Sequence, residues 1–222
     1  TNLEKLGVMI QTPEHVLAAL VGCDLDNVII ELNSSELPIM DGSSKYFVEA
    51  LEQVGTVEQE AERKVYVVKD VISYLDEATG SEITIIPSDS YCVTAMVDFG
   101  TKVLGTQNAN MKNISDFKSE ISACRTFSFL HELESLLNNG LIKGGDLNNA
   151  IVYVDKEISA ETMTNLNKAF NKESISVTEN GILDNLTLHF PNEAARHKLL
   201  DIVGDLSLIG TRIQGKVIAN KP

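Results

Sequence analysis

The chain has 222 residues, 43% of them hydrophobic and 23% charged, a composition ordinary for a globular protein and a length sufficient to bury at least one sizeable core. Thirty-two acidic residues against 18 basic ones give a net charge of −14. That balance argues against a nucleic-acid partner, because phosphate binding draws on clustered Lys and Arg, and no basic stripe is present. No apolar run approaches the ~20 residues needed to cross a bilayer, so no integral membrane segment is expected, and no basic stretch followed by an apolar one reads as a secretory leader. Cys23, Cys92 and Cys124 are odd in number and form no CxxC pair, which points to small buried thiols in a reducing, cytoplasmic setting. The opening residues Thr1 to Leu6 enter without a start Met, so a longer gene product is expected.

In chain order, the first predicted element is a helix opening at Thr12-Pro13-Glu14-His15, with Thr12 as N-cap, Pro13 in the first helical position, Glu14 at the positive helix end and Gly22 closing it. Asn27 to Leu32 (NVIIEL) reads as a mostly buried strand. Pro38 to Ser44 reads as a turn into a second helix from Lys45 to about Val54. The charged, nearly featureless stretch Gly55 to Lys64 is the expected domain boundary, dividing residues 1–62 from 63–222. Short strands follow at Val65 to Val71, Ser81 to Ile86 and Tyr91 to Phe99. The Pro87-Ser88-Asp89-Ser90 turn favours antiparallel pairing of the last two. Phe127 to Asn139 reads as a helix stopped by Gly140, Ala150 to Val154 as a strand, and Ala160 to Phe170 as a helix capped by Ser159. Asp184 to Phe190 reads as a strand, and Glu193 to about Leu206 as a helix capped by Asn192. Strands and helices come in blocks, so the expected class is α+β in two layers of sheet and helix.

The last of these helices carries the chemistry. His197, Asp201 and Asp205 recur every four residues and therefore share one face. Ala195, Leu199, Leu200, Ile202, Val203 and Leu206 would turn the helix inward. A polar group on an inward-facing helix needs a partner, because burying an unpaired carboxylate is costly. Imidazole and carboxylate one turn apart can chelate a divalent ion, and a buried His–Asp hydrogen bond is the competing reading of the same spacing. His15, in the first turn of an otherwise apolar helix, is the candidate third ligand. In isolation a histidine so placed also suits a satisfied core position. Glu14 beside it is the kind of acid that serves as general base on water activated by a metal, and three protein ligands would leave a fourth zinc position open, the catalytic pattern.

Four ordered stretches then resemble one family. Glu14-His15-Val16-Leu17-Ala18-Ala19-Leu20 with Asp26-Asn27 and Pro38-Ile39-Met40-Asp41-Gly42-Ser43 looks like the N-terminal signature of UDP-3-O-acyl-N-acetylglucosamine deacetylase, the zinc enzyme of the committed step in lipid A synthesis. Ser119 to Phe127 (SEISACRTF) resembles its central motif. Gly140 to Gly145 with Asn149 to Val152 matches a further stretch, and Arg196 to Leu206 (RHKLLDIVGDL) resembles its C-terminal metal motif. The resemblance implies two similar α+β domains packed with the active site between them, and an acyl-tunnel insert in the second domain at about 127–156. It implies Zn2+ held by His15, His197 and Asp201, with Glu14 as base. Thr126 would stabilise the oxyanion, and Asp205 would orient a histidine acting as general acid. Lys198, Phe127 and Lys143 would bind an acylated UDP-amino-sugar, with Lys198, Arg125 and Lys143 left to supply local positive charge against the overall −14.

The chain also departs from the pattern. The family's Gly-His motif would begin where the chain stops, at Ala219-Asn220-Lys221-Pro222, and the first half of the first domain is not included, so a fragment of impaired activity is expected. Neither His131 nor His189 sits in a matching motif, and both read as surface or packing histidines. Ser128 stands where the family more often has Gly. Ile158 to Asn180 resembles versions with a dehydratase domain fused downstream. The rival readings are a non-enzymatic metal-binding or interaction module and a zinc deacetylase of another N-acetyl sugar.

Overall fold

A computed structural model describes residues 1–132, 149–156, 158–169, 175–183 and 186–222. Strands β1 (Asn2–Lys5) and β2 (Val8–Gln11) form an antiparallel hairpin that leads directly into helix α1 (Glu14–Gly22). Helix α2 (Lys45–Val54) follows, with the bounds its sequence predicts. Then come β3 (Val65–Val67), β4 (Ile72–Asp76), β5 (Ser81–Ile86), β6 (Cys92–Asp98) and β7 (Thr106–Met111). A short helix α3 (Phe117–Glu120), strands β8 (Phe127–Phe129) and β9 (Ile151–Tyr153), and helix α4 (Ala160–Ala169) precede the long helix α5 (Glu193–Leu206). Strands β10 (Arg212–Gln214) and β11 (Lys216–Asn220) close the described chain. Helices and sheets are segregated, as expected of α+β.

The main sheet has the order β4-β5-β11-β6-β7. The tight turn after β5 does not pair β5 with β6 directly, contrary to the sequence expectation. Instead β11 enters between them, antiparallel to β5 (Val217 opposite Ile85) and parallel to β6 (Val217 opposite Val93). Alternation explains the choice. Val93, Ala95 and Val97 on β6, Val217 and Ala219 on β11, and Ala109 and Met111 on β7 all face one side and are buried. Helix α5 covers that face with Ala195, Leu199, Leu200 and Val203, and α1 packs on α5 through Ala18 and Ala19. One core thus joins residues on both sides of the expected boundary at 62/63.

Several local expectations change. Asn27 to Leu32 forms no ladder with any described strand, and Ile29 is 92% exposed rather than buried. The expected strand over Val65 to Val71 is shorter, ends at Val67 and pairs in parallel with β10. Phe127 to Phe129 is a strand rather than the start of a helix, because its alternating residues pair with Ile151 to Tyr153; helix begins at Leu130, and the remainder of that expected helix, with most of the acyl-tunnel insert and Lys143, lies outside the described residues. The expected strand over Asp184 to Phe190 is absent in its described part. There the Thr187 carbonyl accepts from Arg125 and the His189 N–H donates to Glu193, so side chains satisfy the backbone in place of a ladder. Ser159 does cap α4, accepting from Thr162 N at 3.0 Å. Neither Thr12 nor Asn192 caps through its side chain: Thr12, at φ 58°, gives its hydroxyl to Glu36, and Asn192 accepts from Arg196 and donates to the Asn108 carbonyl.

Candidate metal centre

Two crossing helices bring the site together. His15 sits in the first turn of α1, and His197 and Asp201 stand one turn apart on the face of α5 that meets it. The crossing is close because Gly204 on α5 lies against the backbone of Glu14 and Ala18. The two imidazole rings meet edge to face, with centroids 5.0 Å apart. Both histidines are buried, at 4% and 2% exposure.

The contacts within the cluster are too long for hydrogen bonds. Asp201 Oδ1 lies 3.5 Å from His197 Nε2 and 3.8 Å from His15 Nε2. Two ligands each about 2.1 Å from a tetrahedral zinc stand about 3.4 Å apart. These gaps therefore match donors arranged around a central ion better than donors bonded to one another. The three ligand atoms lie within 4.8 Å of one another, the one such group among the described residues. Buried side-chain atoms without a hydrogen-bond partner include Asp201 Oδ1 and His15 Nδ1, both within the cluster; Glu14 Oε2 beside them also lacks a hydrogen bond and has the Thr1 nitrogen at 3.3 Å as its ion-pair partner. Polar atoms left so would each cost free energy, and a cation among them would offset it.

Protonation is consistent with ligand duty. Burial, followed by repulsion from His197, lowers the His15 pKa to about 4. Burial likewise lowers that of His197 to about 4 against the raising effect of the Cys124 carbonyl. Both rings are accordingly neutral at pH 7, the form that offers a lone pair. Burial raises the Asp201 carboxyl, opposed by the Lys198 ammonium, whose Nζ lies 3.5 Å from Oδ2. His197 Nδ1–H donates to the Cys124 carbonyl at 3.0 Å, which fixes the tautomer and leaves the Nε2 lone pair facing Asp201. The Ser44 hydroxyl, buried completely, donates to the backbone carbonyl of His15 at 2.7 Å.

The remaining candidates are spread around this centre. Glu14, next to His15, points its carboxylate toward Thr1, whose nitrogen stands 3.3 Å from both Oε1 and Oε2. Asp205 accepts from the Thr1 hydroxyl at 2.7 Å. Thr126 lies two residues beyond Cys124 and is bound by its backbone to Gly42 and Ile151. Gly42, at φ +81°, passes so near the Asn149 carbonyl that a side chain there would collide with it. Phe127 places its ring 6.5 Å from that of His197, within an aromatic group formed with Phe99, Phe129 and Tyr153. Arg125 is not available as a source of local positive charge. Its guanidinium is buried against Glu193 at 2.9 Å and donates to the Thr187 carbonyl at 2.6 Å. His131 pairs with Asp155 and stacks on Phe129, a packing role. Sequence reasoning missed Ser44, Cys124 and Glu193. The Cys124 contact is made by a backbone carbonyl and leaves no sequence signal, whereas the acid at the start of α5 was there to be questioned.

A family model described as LpxC: UDP-3-O-acyl N-acetylglycosamine deacetylase matches residues 1–170 and 164–222. The bifunctional enzyme LpxC/FabZ of Bacteroides thetaiotaomicron is 42% identical over 222 residues, covering 100% of this chain and 48% of that protein. That of Porphyromonas gingivalis is 40% identical over the same coverage. The UDP-3-O-acyl-N-acetylglucosamine deacetylase of Syntrophotalea carbinolica is 36% identical, covering 100% of this chain and 63% of that protein. The chain thus spans about half the length of the bifunctional relatives it matches.

Proposed function

The chain belongs to the UDP-3-O-acyl N-acetylglycosamine deacetylase family, and from that premise we propose that its polypeptide hydrolyses the acetamide of UDP-3-O-acyl-N-acetylglucosamine in lipid A biosynthesis, with zinc held by His15, His197 and Asp201. The observation that carries the reading is the convergence of two neutral buried imidazoles and a carboxylate with orphaned atoms at ion-cradle spacing. A zinc ion held there supplies a Lewis acid for the acetyl carbonyl and lowers the pKa of a coordinated water to about 7.

The chain's own residues supply the rest. Glu14 accepts a proton from the attacking water as the water oxygen bonds to the acetyl carbon. The C–N bond then breaks, the sugar amine leaves protonated, and acetate is released. The Thr126 hydroxyl stabilises the developing oxyanion, a contribution that is often large. Lys198, half-exposed beside Asp201, contacts the polar head of the substrate, with Lys143 as a second cation. Phe127 and the rings around it give the apolar side of the site a wall for the acyl chain. Asp205, whose carboxylate here takes the Thr1 hydroxyl, would orient the histidine of the Gly-His motif that the resemblance implies, and that histidine would protonate the leaving amine.

The same reading divides the polypeptide at 62/63 into two similar domains and places it in the cytoplasm; no helix among the described residues is long and apolar enough to cross a membrane. A dehydratase unit fused downstream is supported by the names of the bifunctional relatives.

The test is acetate release from the acylated UDP-sugar by the full polypeptide and by its Glu14→Ala variant. Loss of about 10²-fold or more in kcat is expected in the variant; equal turnover by the two proteins overturns the role of Glu14. Faster release from a simple N-acetyl sugar would overturn the substrate.

A further inference from the structure

A buried ion pair that the chemistry above does not use stands directly behind His197. Glu193 is the first residue of α5 and is fully buried, one turn before His197. Its Oε1 accepts from Arg125 Nε at 2.9 Å and from the Arg125 backbone N–H at 3.0 Å; its Oε2 accepts from Arg125 Nη2 at 3.2 Å and from the His189 backbone N–H at 2.7 Å. The same carboxylate thus holds a backbone N–H on each of two segments.

Arg125 lies between the two residues that matter most to the site from that side. Cys124 precedes it and receives His197 Nδ1–H; Thr126 follows it and continues to Phe127. The segment is fixed from the other direction as well, by Ser44 N donating to the Ser122 carbonyl at 2.9 Å and Thr126 N donating to the Gly42 carbonyl at 2.7 Å. An acid in the first turn of a helix gains from the helix dipole alone, and solvent would serve that purpose. Full burial with four donors serves something else. Resting on the zinc reading above, we propose that Glu193 is a positioning residue. By clamping the Arg125 backbone to the start of α5, it sets the Cys124 carbonyl where it holds His197 in its metal-binding tautomer and orientation.

Removing one partner of a buried pair leaves the other charge uncompensated, whereas replacing both with apolar residues of similar size is often tolerated. The informative variant is therefore the double replacement Glu193→Leu/Arg125→Met in the full polypeptide, with Glu193→Gln beside it. Gln keeps one acceptor oxygen but loses the two-oxygen clamp. Two readouts are taken: zinc affinity by competition with a chelator, and the His197 Nδ1–H resonance in the metal-free protein by 15N-histidine NMR. Loss of a partner that orients a metal-bound histidine typically weakens metal binding 10–100-fold. The expected result is a double variant that still melts cooperatively, at a lower Tm because the Arg125 and His189 backbone N–H groups lose their acceptor, binds zinc at least 10-fold more weakly and loses the slowly exchanging Nδ1–H signal, with Glu193→Gln shifted the same way. A double variant that retains zinc affinity within about twofold and keeps the Nδ1–H signal overturns the proposal and leaves the pair a purely structural one. If only Glu193→Gln folds, the same two readouts decide on it alone. The resonance reports on positioning whether or not the parent binds zinc, so failure of the zinc reading shows separately, as a parent with no stoichiometric metal.

Discussion

Replacing Gly204 with alanine adds one methyl group at the point where α5 crosses the first turn of α1. A Cβ built there collides with the Glu14 carbonyl oxygen and stands 3.0 Å from the carbonyl carbon and 3.1 Å from Ala18 N, where ordinary contact begins at 3.4 Å. All three atoms are backbone, so no side chain can rotate aside and the helices must part by about 1 Å. Overpacking of this kind costs about 1–3 kcal/mol. For a chain of this length each kcal/mol lowers Tm by about 2–4 °C, so the expected loss is about 2–12 °C. The functional effect should exceed the thermal one, because the displaced turn carries Glu14 and His15 while the other helix carries His197 and Asp201. A misplacement of about 1 Å at reacting groups can cost on the order of 10²-fold in rate. Differential scanning calorimetry and acetate-release kinetics on the same preparation measure both. Unchanged Tm together with unchanged kcat/KM would refute the close crossing as the device that assembles the site.

Three further outcomes follow from the same geometry. In metal-free protein both site histidines titrate at about 4 when folded and near 6.5 when unfolded, so the unfolded state binds more protons between those values. Stability is therefore full above pH 6.5 and falls as pH drops toward 4, by on the order of 3 kcal/mol per histidine; a urea midpoint independent of pH across that window contradicts their burial as neutral rings. Ser44→Ala removes the hydroxyl that holds the His15 carbonyl; it should cost about 1–2 kcal/mol in chemical denaturation and weaken zinc binding severalfold. Leu199→Ala, at a position with 0% exposure between α5 and the sheet, should cost about 2–5 kcal/mol. A loss below ~1 kcal/mol would show that α5 is not seated as described.

The grouping of His15, His197 and Asp201 was legible because its elements are local and its periodicity is helical. The i, i+4 spacing of His197 and Asp201 placed them on one face of α5, and the start of α1 was marked by Pro13 and Glu14. The pairing of β11 between β5 and β6 was not legible. It joins residues about 130 positions apart, and the local turn after Ile86 argues for a different neighbour. The strand-like run Asn27 to Leu32 shows the converse, a strong local pattern with no ladder partner among the described residues. Arg125 read as free positive charge because composition reveals a cation but not the buried Glu193 that neutralises it. The supports of the histidines stayed hidden for a related reason: a carbonyl such as that of Cys124 is present at every position, and only the fold aims it at His197.

His15, His197 and Asp201 are proposed to hold one zinc ion. Metal analysis of protein purified without added zinc, on the parent and on His15→Ala and His197→Ala, tests it most directly. Close to one zinc per chain is expected in the parent and near none in either variant, with both variants still folded. A parent without zinc, or variants that keep the full complement, would contradict it.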